Sequence, residues 1–449
     1  MKNKNIVAIL IGLLFASCGE DRRLEYAHLT APNKAIESVM RENYYWNEDI
    51  PDGKSLNYFT TPHREFFKSL LSEQDANYSY LEDPADTEGL KSYGITFDAS
   101  ITFNQDTAYA AQVLYVESDS PAADAGLMRG DWIIKRNNRF IIKNRIDSLY
   151  KGGAIELTLG EYEFIKDENE KEIIHFNDKR TIQLGAARAT ADNPIHYSGI
   201  YALSEAKVGY LVYSHFTPGK TDQDETYNDV LRALSNGFKT QGVNEFILDL
   251  RYNTGGNLKS AQLLGSMLVS QEALGNPMCI LQYNALQSAR NEEWLFSNEI
   301  LAGGSNLNLK RLYVITGSIT SSTSDVLINA LKPYMEVILV GQATRGNHTG
   351  THPYESEEFQ PYILHPVDCM IYNSENRQPA SGFTPNLAVN ELEYVLFPLG
   401  NPNQEALLNS ALQLIEHGQG GEETPSRYKK KIPGFNTLKN IPTRGTSVQ

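Results

Sequence analysis

The sequence predicts a chain of three parts: an N-terminal helical segment, a small β-rich module and an α/β core. Three observations carry that reading. Within residues 31–90, apolar residues recur at three-to-four spacing in NKAIESVMRENYYW and TPHREFFKSLLSEQD, with Pro51 and Pro62 as boundaries. From Tyr93 to about Leu184 the pattern changes to short alternating runs, YGITF, AAQVLYVESD and IELTLGEYEF. From residue 188 to 418, strand-like runs alternate with helical ones, as a layered α/β fold requires.

The chain opens with Lys2 and Lys4 ahead of an apolar run, IVAILIGLLFA, that ends at FASC. That run is short for a membrane span and suits the core of a signal peptide. The small residues before Cys18 resemble a bacterial lipoprotein box, which implies lipidation of Cys18, a signal peptide over 1–17 and a tether over 18–30. The GED that follows resembles the export signal of Bacteroidetes surface lipoproteins. The implied location is the cell envelope, anchored to the outer membrane, on either its periplasmic or its outer face. A formal net charge of −15 argues against nucleic acid as a partner. Two cysteines remain, Cys279 and Cys369, and spacing alone does not decide whether they pair.

The helical segment spans 31–90 and the β-rich module 91–187. In the module, SPAADAGLMRGDWI resembles the most characteristic stretch of PDZ domains. A short helix is expected near Ala122–Ala125, with Gly126 capping it and Gly130-Asp131 turning the chain into the next strand. Tyr93, Gly94, Ile95 and Thr96 match the loop that, in PDZ domains, receives a peptide's terminal carboxylate on backbone N–H groups. The resemblance implies protein or peptide C-termini as partners, added as an extra strand.

The core, 188–418, reads VGYLVY, a helix from about Glu225 to Gly237, FILDL, a helix from Leu258 to Val269, LYVIT and VILVG. Two of its turns carry chemistry. In FILDLRYNTGGN a strand ends at Gly255-Gly256 before a helix, and paired glycines at a helix start can present N–H groups to a developing oxyanion. After LYVIT, a cluster of small hydroxyl residues precedes another helical pattern, where a strand-to-helix turn can hold a nucleophilic serine. Beyond Gly418, residues 419–449 are Gly-, Pro- and Lys-rich without periodicity and are expected to form a flexible tail.

Together these features resemble the C-terminal processing, or tail-specific, serine peptidases, in the Bacteroidetes lipoprotein type. The resemblance rests on Asp249-Leu250-Arg251-x-Asn253-x-Gly255-Gly256, on Ser322-Thr323-Ser324-Asp325 and on the PDZ-like stretch upstream. It implies an α/β peptidase core with crotonase/ClpP-like layers, an inserted or preceding PDZ domain and an N-terminal helical segment. It makes Ser322 the nucleophile of an envelope endopeptidase, with Thr323 N–H and Gly255 or Gly256 N–H as the oxyanion hole. Ser321 and Ser324 are neighbours that a one-position error in register would select, and they can instead cap the helix. Asp325 stands where the family has Glu and can also cap.

One part is exchanged. The family's lysine, which takes the serine's proton from within Gly-x-x-Thr-x-Gly-Lys, corresponds to Asn347 in Gly341-Gln-Ala-Thr344-Arg345-Gly346-Asn347, and an amide is no base. The family glutamine that orients the lysine becomes Thr351. Lys332 is ten residues along the helix, about 15 Å away. Arg345 stays protonated. His348, next to the lost lysine, and His215, after the VGYLVY strand, are the candidate substitutes. The spacing of His348 and His352 does not make a metal site, since Gly350 between them opposes a helix and no acidic ligand is close. No metal and no cofactor is expected. The readings that follow are a serine peptidase of reduced activity, a peptide-binding pseudo-peptidase that scaffolds without cleaving, and, third, an α/β lyase or hydratase of crotonase-like architecture.

Overall fold

The computed structural model describes residues 26–76, 78–84, 91–103, 107–221, 224–379, 381–418 and 445–448. The signal segment with Cys18 and most of the expected tail lie outside the described residues. The chain divides into two compact units: residues up to Pro84 with Pro353–Pro366, and the remainder.

In the first unit a helix, Ala27–Asn43, buries Ile36 and Met40 on one face. Asn33 on the same helix donates its amide to the Tyr58 and Thr60 carbonyls, both at 2.9 Å, which fixes the following loop. A second helix, His63–Lys68, buries Phe66 and Phe67. The strand Tyr80–Glu82 then pairs antiparallel with Ile363–His365. Residues 353–366 were expected within the α/β core; instead they leave it to supply this strand partner.

Among the described residues the second unit contains three large sheets and a two-stranded one, Lys91–Ser92 with Arg188–Ala189. The β-rich module is an antiparallel sheet in the order Ile95–Phe103, Ala108–Val116, Trp132–Arg136, Ile155–Lys166, Glu172–Leu184. Its short helix, Pro121–Asp124, is capped by Ser120, whose hydroxyl accepts from Ala123 N–H. The central sheet of the core runs Ile195–Ala202, Lys207–Tyr213, Glu245–Asp249, Arg311–Thr316, Glu336–Gly341, Leu387–Ala388, and is parallel from the second strand onward. These strands are nearly continuous apolar runs because both faces are covered. The helix Ala406–His417 packs Leu407, Leu408 and Leu412 on one face. The helices Thr226–Thr240, Leu258–Leu268 and Thr323–Leu331 cover the other.

A further sheet closes over those helices: Gly255–Asn257, Gly445–Ser447, Thr349–Thr351, Val367–Asn373, Pro277–Tyr283, Glu292–Leu295. The helix Thr323–Leu331 lies between two sheets, and every one of its nine residues is buried; its polar side chains, Thr323, Ser324, Asp325 and Asn329, are buried with hydrogen-bond partners. Gly445–Ser447, expected in a flexible tail, is a strand of this sheet. Paired backbone on both sides outweighs the polar, aperiodic composition that suggested disorder.

Candidate active site

The carboxyl ends of four adjacent parallel strands point the same way, and their turns meet. Such crevices are where open α/β sheets place their ligands. The turn after Glu245–Asp249 brings Asn253, Gly255 and Gly256. The turn after Arg311–Thr316 brings Thr320 to Ser322, and the one after Glu336–Gly341 brings Thr344 to Asn347. They are stapled together: Thr320 Oγ1 donates to Leu250 O at 2.7 Å, Ser321 N–H donates to Asn253 O at 3.1 Å, and Arg345 N–H donates to Thr320 O at 2.7 Å.

Ser322 has φ 60° and ψ −120°, a backbone conformation that a non-glycine residue holds only when its surroundings impose it, at about 1–3 kcal/mol. It occupies the N-cap of Thr323–Leu331, yet its side chain makes no capping bond. Asp325, in the first turn of that helix, accepts a hydrogen bond from the hydroxyl of Thr344 and lies near the backbone N–H groups of Ser322 and Gly346, while Ser322 N–H itself donates to Gly346 O at 3.3 Å. Burial raises the Asp325 pKa to about 7, and those three donors lower it only in part. The Ser322 hydroxyl, free of the cap but buried (0% exposed), faces Thr446 and Asn347 from a strand-to-helix turn like that of a nucleophile elbow.

The glycine turn lies against the elbow. A Cβ on Gly255 would stand 2.8 Å from Ser322 Cβ, and one on Gly256 2.1 Å from Phe216 O; both residues have positive φ, 116° and 130°. Close approach therefore demands glycine at each position. The two stretches expected to fold together do so. The expected amides are not all available, however. Gly255 N–H donates to Asn253 Oδ1 at 2.9 Å, which removes it from an oxyanion role. Gly256 presents its carbonyl, which accepts from Thr323 Oγ1 at 2.7 Å. The amides of Gly256 and Thr323 are the remaining candidate oxyanion donors; Gly256 lies in the parallel ladder with Thr446, so its amide can serve only when residues 445–447 withdraw.

Neither histidine is placed to act as the base. His348 is buried with its ring edge on Phe383, and among the described residues neither of its nitrogens has a hydrogen-bond partner. The one-residue offset from Asn347 turns it away, and burial lowers its pKa to about 4. The His215 ring bonds Thr217 Oγ1 at 2.7 Å through Nδ1, and its Nε2 lies 2.9 Å from Asp192 Oδ1. Lys332 sits over the Phe383 ring at 4.4 Å. Asn347 faces the serine: its Nδ2 donates to Ser322 Oγ at 3.5 Å. Its orientation is fixed by chemistry, since Oδ1 accepts from Thr349 N–H at 3.0 Å and Thr349 Oγ1 at 2.6 Å. The serine therefore meets an N–H donor where a proton acceptor is needed. Asn347 itself has φ 105°, a conformation asparagine tolerates better than lysine.

Behind the glycine turn lies a buried ionic cluster. Arg251 is paired with Asp249, with Glu391 at 2.6 Å and with Glu405. Arg129, from the turn of the β-rich module, adds a 2.8 Å pair to Glu391. Burial would raise the Glu391 pKa, but Arg129 and Arg251 hold it down to about 2. The cluster fixes the chain two residues before Asn253 and fastens the module to the core. Within the module, two of the four expected carboxylate-binding amides are already engaged. Tyr93 N–H donates to Tyr150 O at 2.9 Å and Gly94 N–H to Ser92 Oγ at 2.9 Å. Ile95 and Thr96 continue directly into the strand paired with Ala108–Val116.

The reading of the sequence missed Thr446, Gly445, Gly350 and Val448. Thr446 Oγ1 lies 2.8 Å from Ser322 Oγ. Its only signal was the short run GTSV at the end of a tail otherwise lacking pattern. Among the described residues no cluster of three metal-ligating side chains occurs; His352 bonds Asp368 at 2.7 Å.

Residues 207–389 match peptidase family S41, and residues 31–80 match the S41 N-terminal domain. A solved Bacteroides fragilis structure assigned to the S41 proteases is 35% identical, covers 86% of this chain and 97% of its own, and superposes with a TM-score of 0.76. The photosystem II D1 C-terminal processing protease shares the fold, with a TM-score of 0.51 at 15% identity over 85% of this chain and 97% of its own. A CtpA-like serine protease of Staphylococcus epidermidis is 24% identical over 51% of this chain and 40% of its own length. The chain thus spans under half the length of the curated relatives it matches. The fold is that of the serine-type S41 peptidases, built on mixed α/β sheets. The chain belongs to peptidase family S41, the family of C-terminal processing proteases.

Proposed function

We propose that this protein is an envelope serine endopeptidase of the C-terminal processing type that binds extended polypeptide strands. Ser322 is its nucleophile, and the amides of Gly256 and Thr323 are its oxyanion donors. The observation that carries this is the strained, uncapped Ser322 packed against Gly255. Attack on a carbonyl would proceed slowly. Among the described residues the hydrogen-bond partners of Ser322 Oγ are the Thr446 hydroxyl and the Asn347 amide, neither of which accepts a proton near neutral pH. The module resembling a PDZ domain would capture substrate C-termini along Ile95–Phe103, the end strand of its sheet, rather than on the Tyr93 and Gly94 amides. Lipidation of Cys18 would hold the protein at the outer membrane.

Asn347 favours a second reading, in which the crevice binds peptides without cleaving them and the protein acts as a scaffold. Incubation of the unlipidated protein with an unfolded polypeptide, beside Ser322→Ala, separates the two. Cleavage that Ser322→Ala abolishes establishes the peptidase. Absence of cleavage together with peptide binding establishes the scaffold.

A further inference from the structure

The gap between Gly255–Asn257 and Thr349–Thr351 is filled by residues 445–448 of the same chain. Gly445–Ser447 pairs parallel with Gly255–Asn257, and Ser447 pairs with Thr351 on the other side. Val448 N–H donates to Thr351 O at 3.1 Å, and Thr351 Oγ1 donates to Thr446 O at 3.2 Å. The side chains are seated as well. Val448 is 2% exposed; it packs where Gly350 has no side chain, since a Cβ there would stand 2.9 Å from Val448 Cγ2 and 2.6 Å from Cys369 Sγ. Thr446 is 1% exposed, with its hydroxyl 2.8 Å from Ser322 Oγ and 3.2 Å from Thr323 Oγ1. The Gly445 carbonyl stands so close over Gly255 that a Cβ there would come within 2.1 Å of its oxygen.

We propose that residues 445–448 are a tethered pseudosubstrate that occupies the crevice as an added strand and holds it closed. This rests on the crevice being the peptide site proposed above. Hydrogen-bonded backbone on both edges gives affinity, and pockets for alternate side chains give selectivity. The bond Ser322 makes is to a side-chain hydroxyl, so the tail is held without offering the nucleophile its carbonyl in that contact. The same seat defines the chemistry of competing ligands: extended segments with a small residue, then a hydroxyl residue, then an apolar residue two positions on. The occupant is the same molecule's own tail. Twenty-six residues separate Gly418 from Gly445, a reach of at most about 85 Å, ample for the return. A covalently attached competitor acts at an effective concentration on the order of 1 mM. A free peptide that binds the cleared crevice at about 0.1 mM would therefore bind the full chain about tenfold more weakly.

Backbone hydrogen exchange over Gly255–Asn257 and Thr349–Thr351 tests this in three proteins: the full chain, the chain ending at Arg444, and Val448→Asp at full length. Protection of these segments should fall about tenfold or more in the last two. The free peptide GTSVQ should restore it in the shortened chain. Unchanged protection in both variants overturns the proposal, and Val448→Asp decides alone if the shortened chain does not fold. Protection that persists on dilution of the full chain supports a tail bound within one molecule; protection lost on dilution assigns the tail to a second copy and overturns the tether. Exchange needs no cleavage, so an inert Ser322 would sink the peptidase reading and leave tail occupancy standing.

Discussion

Asn347→Lys restores the one chemical group that the crevice lacks, and the structure sets both its benefit and its liability. The introduced lysine side chain would start from the position whose amide nitrogen now lies 3.5 Å from Ser322 Oγ, within reach of the serine's proton. Loss of one member of a cooperative nucleophile–base pair costs several orders of magnitude, so its return should raise turnover about a thousandfold or more. Against this, lysine at φ 105° carries about 1–2 kcal/mol of strain. The two bonds Asn347 Oδ1 accepts from Thr349 are worth about 1 kcal/mol each. The sum, about 3–4 kcal/mol, predicts a melting temperature lower by about 5 °C in a unit of this size. The assay is cleavage of an unfolded polypeptide by the parent, Asn347→Lys, and Asn347→Lys combined with Ser322→Ala. Each is also made in the Val448→Asp background, so that an occupied crevice is not mistaken for a failed base. A folded Asn347→Lys protein in that background that cleaves no faster than the parent would refute the reasoning, since the missing acceptor would then not limit the reaction.

The other expectations concern the scaffold. Asp325, raised from its ordinary 3.8 to about 7 chiefly by burial, binds its proton more tightly in the folded chain. Its contribution is fully present below about pH 4 and is lost as pH rises through about 7, by up to about 4 kcal/mol. Asp325→Asn should flatten that slope in denaturant titrations. Arg251→Ala would leave Asp249 and Glu405 without their cationic partner, while Glu391 keeps Arg129, and should cost about 3–5 kcal/mol, measured by chemical unfolding. Cys279 and Cys369 are free and buried, and burial raises both thiols; neither should react with a thiol reagent until the chain is unfolded.

The central parallel sheet was legible because strands covered on both faces are near-continuous apolar runs separated by helices. VGYLVY, FILDL, LYVIT and VILVG all stand within a residue or two of their expected places. Ser322 and the paired glycines were legible through their turns, whose small residues have no other physical explanation at such crowding. The base was not. Asn347 announced a loss, but the direction in which His348 points depends on a one-residue offset in the loop before Thr349–Thr351, and the engagement of His215 depends on Asp192, a contact no local pattern carries. The outer sheet was also missed. Thr349–Thr351 and Gly445–Ser447 are three-residue strands, too short for any period to show, and their pairing is set by residues far away in sequence. Segment 353–366 was misplaced for the same reason: its strand is defined by Tyr80–Glu82, not by its own composition.

That last pairing bears on the order in which the chain can fold. Glu82 bonds His365 at 2.8 Å across a separation of 283 positions. During synthesis the first unit therefore waits, with a strand edge exposed, until the polypeptide through Pro366 has emerged, and contacts of such range slow folding and invite mispairing. Cutting the gene after Pro84 to obtain the first unit alone would leave that edge permanently bare. A version that fuses residues 353–366 behind it through a short linker would carry its own closing strand.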